Sequence, residues 1–159
     1  MVAIVPIETP TLGDRSYLVH DGQVALVVDP QRDIDRVLGL AEAAGVRITH
    51  VFETHIHNDY VTGGLALATV TGAAYHVNAA DDVAYQRVPT GEGDVIEVSA
   101  SLLIRVSGPP GPHPTTLSSS LGAGGGERWV GQKVTIKVVR DGQAKDVTLS
   151  LTSKPPTNQ

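Results

Sequence analysis

Hydrophobic and polar positions change period several times along the chain, and each change marks an element. Residues 2 to 7 and 16 to 20 are short apolar-rich runs that predict strands, and VALVVD (24 to 29) is apolar almost throughout before Pro30 stops it. A run of that kind suits a strand buried on both faces, where neither side needs polar groups. The period then lengthens. Ile34, Val37, Leu38 and Ala41 recur at helical spacing, and Gly45 after Ala44 reads as a helix terminator. ITHVFE (48 to 53) returns to a strand pattern. A strand, helix, strand unit joins parallel strands by a right-handed crossover, and the loop leaving the second strand is where such folds place their chemistry.

Past that loop, VTGGLALATVTG is small and apolar enough for a helix packed close to a sheet, with Gly63 and Gly64 loosening its start. AAYHV (73 to 77) predicts a strand, AADDVAYQR (79 to 87) a short helix, and VIEV (95 to 98) and LLIRV (102 to 106) two strands around a turn. KVTIKVVRDGQAKDVTLSL (133 to 151) carries the clearest hairpin signal. Asp141-Gly142 is a favoured two-residue turn, and Val134, Ile136 and Val138 alternate on one side as Val147, Leu149 and Leu151 do on the other.

Composition narrows the class. The 159 residues are 41% apolar and only 4% aromatic, adequate for a globular core that is short of large groups. A formal net charge of -5 argues against nucleic acid as a partner, since that binding needs a basic footprint. The chain has no cysteine, so disulfides and thiolate ligands are excluded. The opening MVAIVPIETPTLGDRS lacks a basic segment followed by a long apolar one, and 18 consecutive apolar residues occur nowhere. A cytoplasmic protein with no membrane attachment is the expectation.

The chain also divides. Residues 1 to 107 hold 14 acidic side chains and six arginines, whereas the four lysines all come at or after Lys133. Between them, GPPGPHPTTLSSSLGAGGG (108 to 126) is uncharged, and ten of its nineteen residues are Gly or Pro, a composition that reads as linker. Three segments are therefore expected: 1 to 107, a linker over 108 to 129, and a hairpin over 130 to 156.

The chemistry concentrates in ETHIHNDYVTGG (53 to 64). His55, His57 and Asp59 lie at alternate positions just after a strand, and imidazole and carboxylate are ordinary ligands for zinc, iron or manganese. Asp59 either binds the ion or orients a histidine or a bound water. His20, His50 and His76 lie in or beside strands and read as structural or exposed; Glu53 could offer a hydrogen bond in the outer shell of the site, though it reads better as a solvated carboxylate.

The stretch VVDPQRDIDRVLGLAEAAGVRITHVFETHIHNDYVTGGLALA closely resembles the N-terminal half of the metallo-beta-lactamase superfamily, in particular its persulfide dioxygenase-like branch. The resemblance covers about residues 1 to 107 and implies an α/β fold, a partial αββα sandwich followed by the C-terminal β-hairpin. It implies one Fe(II) or Zn(II) held through His55 and His57. Asp59 is implied as a further ligand and catalytic carboxylate, and Asp29 as a shaper of the loop floor or a turn cap. The family motif would usually continue with histidine where Tyr60 stands. A phenol with a pKa near 10 is a poor ligand, so a single-metal centre is expected, with Tyr60 at the substrate rim.

A further histidine is implied after a strand like LLIRV. Aligned without a gap that position is Pro112, and His113, the candidate fourth ligand, comes one residue late. No later strand ends in a Gly-Asp pair, so the centre is expected to be incomplete, its ion weakly held and its activity small. The first sheet is expected to lack its counterpart and to expose an apolar face that a second copy of the chain could cover. The main reading is thus a relative of Fe(II) persulfide dioxygenases acting on a small thiol or persulfide. The alternatives are a zinc hydrolase of thioesterase or glyoxalase II type, and a non-catalytic interaction module. Separately, GQKVTIKVVRDGQAKDVTLSLTSKPP is similar to the closing hairpin of an HtrA-like PDZ domain, though the carboxylate-binding loop and helix of that fold are absent.

Overall fold

A computed structural model of the chain describes residues 2–9, 14–54, 62–106, 133–140 and 143–150. The elements run β1 (Ala3–Thr9), β2 (Asp14–His20), β3 (Val24–Val28), α1 (Ile34–Ala44), β4 (Arg47–Phe52), α2 (Gly64–Thr71), β5 (Ala74–Asn78), β6 (Val88–Thr90), β7 (Val95–Ser99), β8 (Leu102–Arg105), β9 (Lys133–Arg140) and β10 (Gln143–Ser150). Strands β1 to β6 form one sheet in chain order, antiparallel from β1 to β3 and parallel from β3 to β6. The second sheet is antiparallel throughout, in the order β10-β9-β8-β7.

Strand β3 shows why VALVV is apolar at every position. Ala25 and Val27 face the helices, packing with Val37 and Ala41 of α1 and Leu67 and Ala68 of α2. Leu26 and Val28 face the second sheet, packing with Phe52, Leu102 and Ile104. Both sides are dry, so alternation would have buried an unsatisfied polar group at each second residue. Leu18, Leu26, Leu67 and Leu102 are all fully buried, each worth roughly 1.5–3 kcal/mol against exposure. The architecture is an α/β sandwich: helices, first sheet, second sheet.

Helix α1 buries its Val37 and Ala41 stripe and ends at Gly45, whose φ of 66° is the left-handed conformation that lets its N–H turn back to the Ala41 and Glu42 carbonyls. Helix α2 carries no charged residue, and its apolar side chains are spread around it. Leu67 and Ala68 are buried while Leu65 and Val70 are exposed.

Two expectations are corrected. The first sheet's second face is not bare, because Leu102 and Ile104, with the partly buried Ile96 and Val98, pack onto it. The C-terminal hairpin extends that second sheet through β9, with Leu102 opposite Val138 and Ile104 opposite Ile136. Second, residues 79–87 form turns and bends instead of a helix. They carry the chain from β5 to a parallel neighbour, β6, and their polar groups are committed elsewhere: Ala79 N–H donates to the Thr90 carbonyl, and Arg87 Nη2 to the carbonyls of Ala79 and Asp81. No helix among the described residues is long and apolar enough to cross a membrane. The expected linker falls outside the described residues.

Candidate functional site

Because β3, β4 and β5 are parallel, their C-terminal ends share one edge of the first sheet, and the acids that follow β3 and β4 meet there. Asp29 takes a φ of 47°, the one non-glycine positive φ among the described residues. Aspartate tolerates this region when local hydrogen bonds fix it. Its N–H donates to the Phe52 carbonyl (2.8 Å), and its carbonyl accepts the Ser16 hydroxyl (2.6 Å). The carboxylate is thereby aimed at Thr54. Oδ1 accepts the Thr54 N–H at 2.7 Å, and Oδ2 accepts the Thr54 hydroxyl at 2.6 Å.

Glu53 points to the helix side. It is 7% exposed, and its Oε1 accepts the Thr62 hydroxyl (2.7 Å) and the Tyr75 hydroxyl (3.2 Å). Thr62 Oγ1 in turn accepts the Gly64 N–H (3.2 Å), one of the amides that the first turn of α2 leaves without a helical partner. Gly63 N–H donates to the Pro30 carbonyl (2.9 Å). Both glycines are required by packing. A β-carbon on Gly63 would fall on the Gln31 carbonyl oxygen, and one on Gly64 would fall on Glu53 Oε1 and lie 2.6 Å from Tyr75 Cε2.

These contacts set the electrostatics. Burial, then the charge of Asp29, push the Glu53 carboxyl up to about 8, although the Thr62 and Tyr75 hydroxyls favour its ionised form. At neutral pH Glu53 is mostly a neutral acid. Its buried Oε2 has no hydrogen-bond partner among the described residues, so no donor at that oxygen offsets the loss of water. Burial and then the Glu53 charge push the Tyr75 phenol up as well. On the opposite face of the sheet, His76 stacks on Phe52 (centroids 4.3 Å, 9° between planes) and on His50 (5.3 Å, 18°). Both His76 ring nitrogens are buried without a hydrogen-bond partner among the described residues. Burial and then the neighbouring His50 hold its pKa down at about 4, and burial lowers that of His50.

His55, His57, Asp59, Tyr60 and His113, the residues expected to bind metal or substrate, all lie outside the described residues. Asp29 holds Thr54, the last described residue before His55, through two hydrogen bonds. Glu53 departs from expectation, being buried instead of solvated. The signal that could have exposed it is the Gly63-Gly64 pair ten residues on, since adjacent glycines at a helix start leave room for something to approach closely.

Among the described residues no group of three or more His, Asp or Glu stands together as a metal cage; the candidate ligands all lie outside them, at His113 and in segment 55–61. Two imidazoles and a carboxylate there are a donor set that fits zinc or iron. What the described part contributes is a frame. Asp29 holds the residue before that segment, and Glu53 holds the residue after it.

The sequence profile of the Metallo-beta-lactamase superfamily matches residues 12–132. A hydroxyacylglutathione hydrolase from Acidiphilium cryptum is 40% identical over 73 residues, which is 45% of this chain and 30% of that protein. One from Anaeromyxobacter dehalogenans is 34% identical over 99 residues, 62% of this chain and 38% of that protein. The crystal structure of ETHE1 from Myxococcus xanthus has a TM-score of 0.58 at 26% identity, covering 65% of this chain and 46% of that one. The chain therefore spans less than half the length of each of these relatives. The likeness of residues 130 to 156 to a PDZ hairpin finds no support among the proteins compared.

Proposed function

The chain belongs to the metallo-beta-lactamase superfamily, and from that premise we propose that it is a metal-dependent hydrolase unit directed at a glutathione thioester of the hydroxyacyl type. The observation that carries this reading is the frame at the ends of β3 and β4, which holds Thr54 and Thr62 on either side of His55, His57 and Asp59. The identity to hydroxyacylglutathione hydrolases supports the thioester.

In this reading His55 and His57 would hold a zinc ion, with Asp59 as a further ligand or as the carboxylate that orients a water. Zinc bound there would supply Lewis acidity at the carbonyl and a water whose pKa falls to about 7. Asp29 keeps Thr54 in place, Glu53 keeps Thr62 in place, and Tyr60 would contact substrate. His113 stands one position late for the remaining ligand, so the ion is held weakly and turnover is slow. A second reading, oxidation of a persulfide at Fe(II), draws on the likeness to ETHE1 and on Tyr60 in place of the usual histidine.

Zinc-loaded and Fe(II)-loaded protein should be assayed side by side, for thiol release from a hydroxyacylglutathione and for oxygen uptake with glutathione persulfide. Zinc-dependent thiol release that disappears in His55→Ala is the expected result. Oxygen uptake with iron alone would establish the second reading, and no retained metal with either ion would overturn both.

A further inference from the structure

Segment 55–61 is bounded by residues held by different acids. At its start, Thr54 gives both its N–H and its hydroxyl to Asp29, a fixation by two bonds to one carboxylate. At its end, the corresponding fixation runs through Glu53, which collects the hydroxyls of Thr62 and Tyr75 on one oxygen. The Glu53 backbone is itself anchored, its N–H donating to the His76 carbonyl at 3.0 Å. Tyr75 belongs to β5 and sits in the helix-side core with Tyr85 against it, ring centroids 5.7 Å apart. The chain Tyr75 hydroxyl, Glu53 carboxyl, Thr62 hydroxyl, Gly64 amide thus ties the first turn of α2 to two strands of the sheet. Gly63 and Gly64 have no space for a β-carbon, Gly64 because Glu53 Oε1 is in place there, so removing that carboxyl takes away both the acceptor and the wall that this end is packed against.

We propose that Glu53 is a positioning residue, which fixes Thr62 and Gly64 and thereby raises the metal affinity of the residues between Thr54 and Thr62 without touching the metal. The inference rests on the metal-dependent reading above. A ligand group whose ends are held in place loses less freedom when it closes on an ion, and supporting hydrogen bonds of this kind typically change metal affinity 10- to 100-fold. What matters is an acceptor oxygen at Oε1, so glutamine, which keeps one there, should serve, whereas alanine should not.

The test uses the full chain with zinc alone, its affinity measured by competition with a chromophoric chelator, together with amide hydrogen exchange at Gly64 in metal-free protein. Glu53→Ala and Thr62→Val should each weaken zinc binding at least tenfold and speed Gly64 exchange. Glu53→Gln and Thr62→Ser should stay within about threefold of wild type on both measures. Should Glu53→Ala not fold, Thr62→Val carries the same prediction from the other side of the bond. Wild-type zinc affinity in a folded Glu53→Ala or Thr62→Val protein overturns the inference, as does a loss in Glu53→Gln as large as in Glu53→Ala. A wild-type chain that binds no zinc overturns the functional reading, and the inference with it.

Discussion

The first sheet treats acidic side chains in opposite ways at the N-terminal end of β3 and at the C-terminal end of its parallel neighbour β4. Just before β3, Asp21 sits in the β2–β3 turn, and its carboxylate accepts four hydrogen bonds. The N–H groups of Gln23 and Val24 reach Oδ1 at 2.9 Å, and the hydroxyls of Ser99 and Ser101 reach Oδ2 at 2.6 and 3.0 Å. Burial opposes the charge, but these donors, Ser99 foremost, outweigh it and hold the carboxyl well below the usual range. Just after β4, Glu53 has two hydroxyl donors on one oxygen, deeper burial and a second acid beside it, and is pushed up to about 8. Whether a buried acid keeps its charge follows from donors gained against water lost. The saturated one fastens the first sheet to the turn between β7 and β8. The undersupplied one lies beside the candidate metal segment, where perturbed groups concentrate.

The sharpest way to break this contrast is steric. Gly64→Ala should cost about 3 kcal/mol through overlap with Glu53 and Tyr75. Gly22→Ala at the opposite end, with open space but a φ of 99°, should cost only about 1–2 kcal/mol of backbone strain. Urea denaturation of the pair measures both, and equal losses would refute the tighter packing at the Glu53 end.

Asp21 and His76, the latter on the face of the sheet away from Glu53, should also fail in different pH windows. His76 has a folded pKa near 4, below its ordinary 6.5, so the unfolded chain binds the extra proton. Its neutral form stabilises the fold fully above pH 6.5, and that stability drains away as pH falls toward 4, by roughly 2–3 kcal/mol. In His76→Leu the slope of stability between pH 6.5 and 4 should flatten, and urea midpoints at pH 7, 5.5 and 4 would reveal an unchanged slope. Asp21 is a depressed carboxylate, so its contribution is present above about pH 4 and is lost as pH falls further. Asp21→Asn should therefore destabilise by about 1–2 kcal/mol at pH 7, with the gap to wild type narrowing as pH falls from 4 toward 2, as thermal melts along that range would check. Ser101→Ala, which removes the longer of the two hydroxyl bonds, should cost only about 0.5–1 kcal/mol at pH 7. A larger loss than in Asp21→Asn would mean that the serines act independently of the carboxylate.

Much of the fold was legible because local periodicity reports which faces are dry. VALVV announced a strand buried on both sides, the Ile34 to Ala41 spacing announced α1, and the Val134 to Leu149 alternation around Asp141-Gly142 announced the β9–β10 pair. AADDVAYQR misled because its composition suits a helix, while the need to return to a parallel edge strand, with Arg87 and Thr90 taking the backbone groups, is not local. Glu53 misled for a related reason. A carboxylate at a strand end normally meets water, and nothing within a few residues shows that Tyr75 and Thr62 close over it.

By itself, then, the sequence determined the elements, their dry faces and the donor types gathered between Thr54 and Thr62, since these follow from side-chain period and chemical identity. Only the tertiary structure decided that a second sheet covers the first, that Asp29 and Glu53 hold the two ends of that segment, and which acid keeps its proton. The hydroxyl donors to these acids, Thr62 and Tyr75 for Glu53 and Ser99 and Ser101 for Asp21, stand 9 to 80 positions away in the chain, and no local pattern of residues records them.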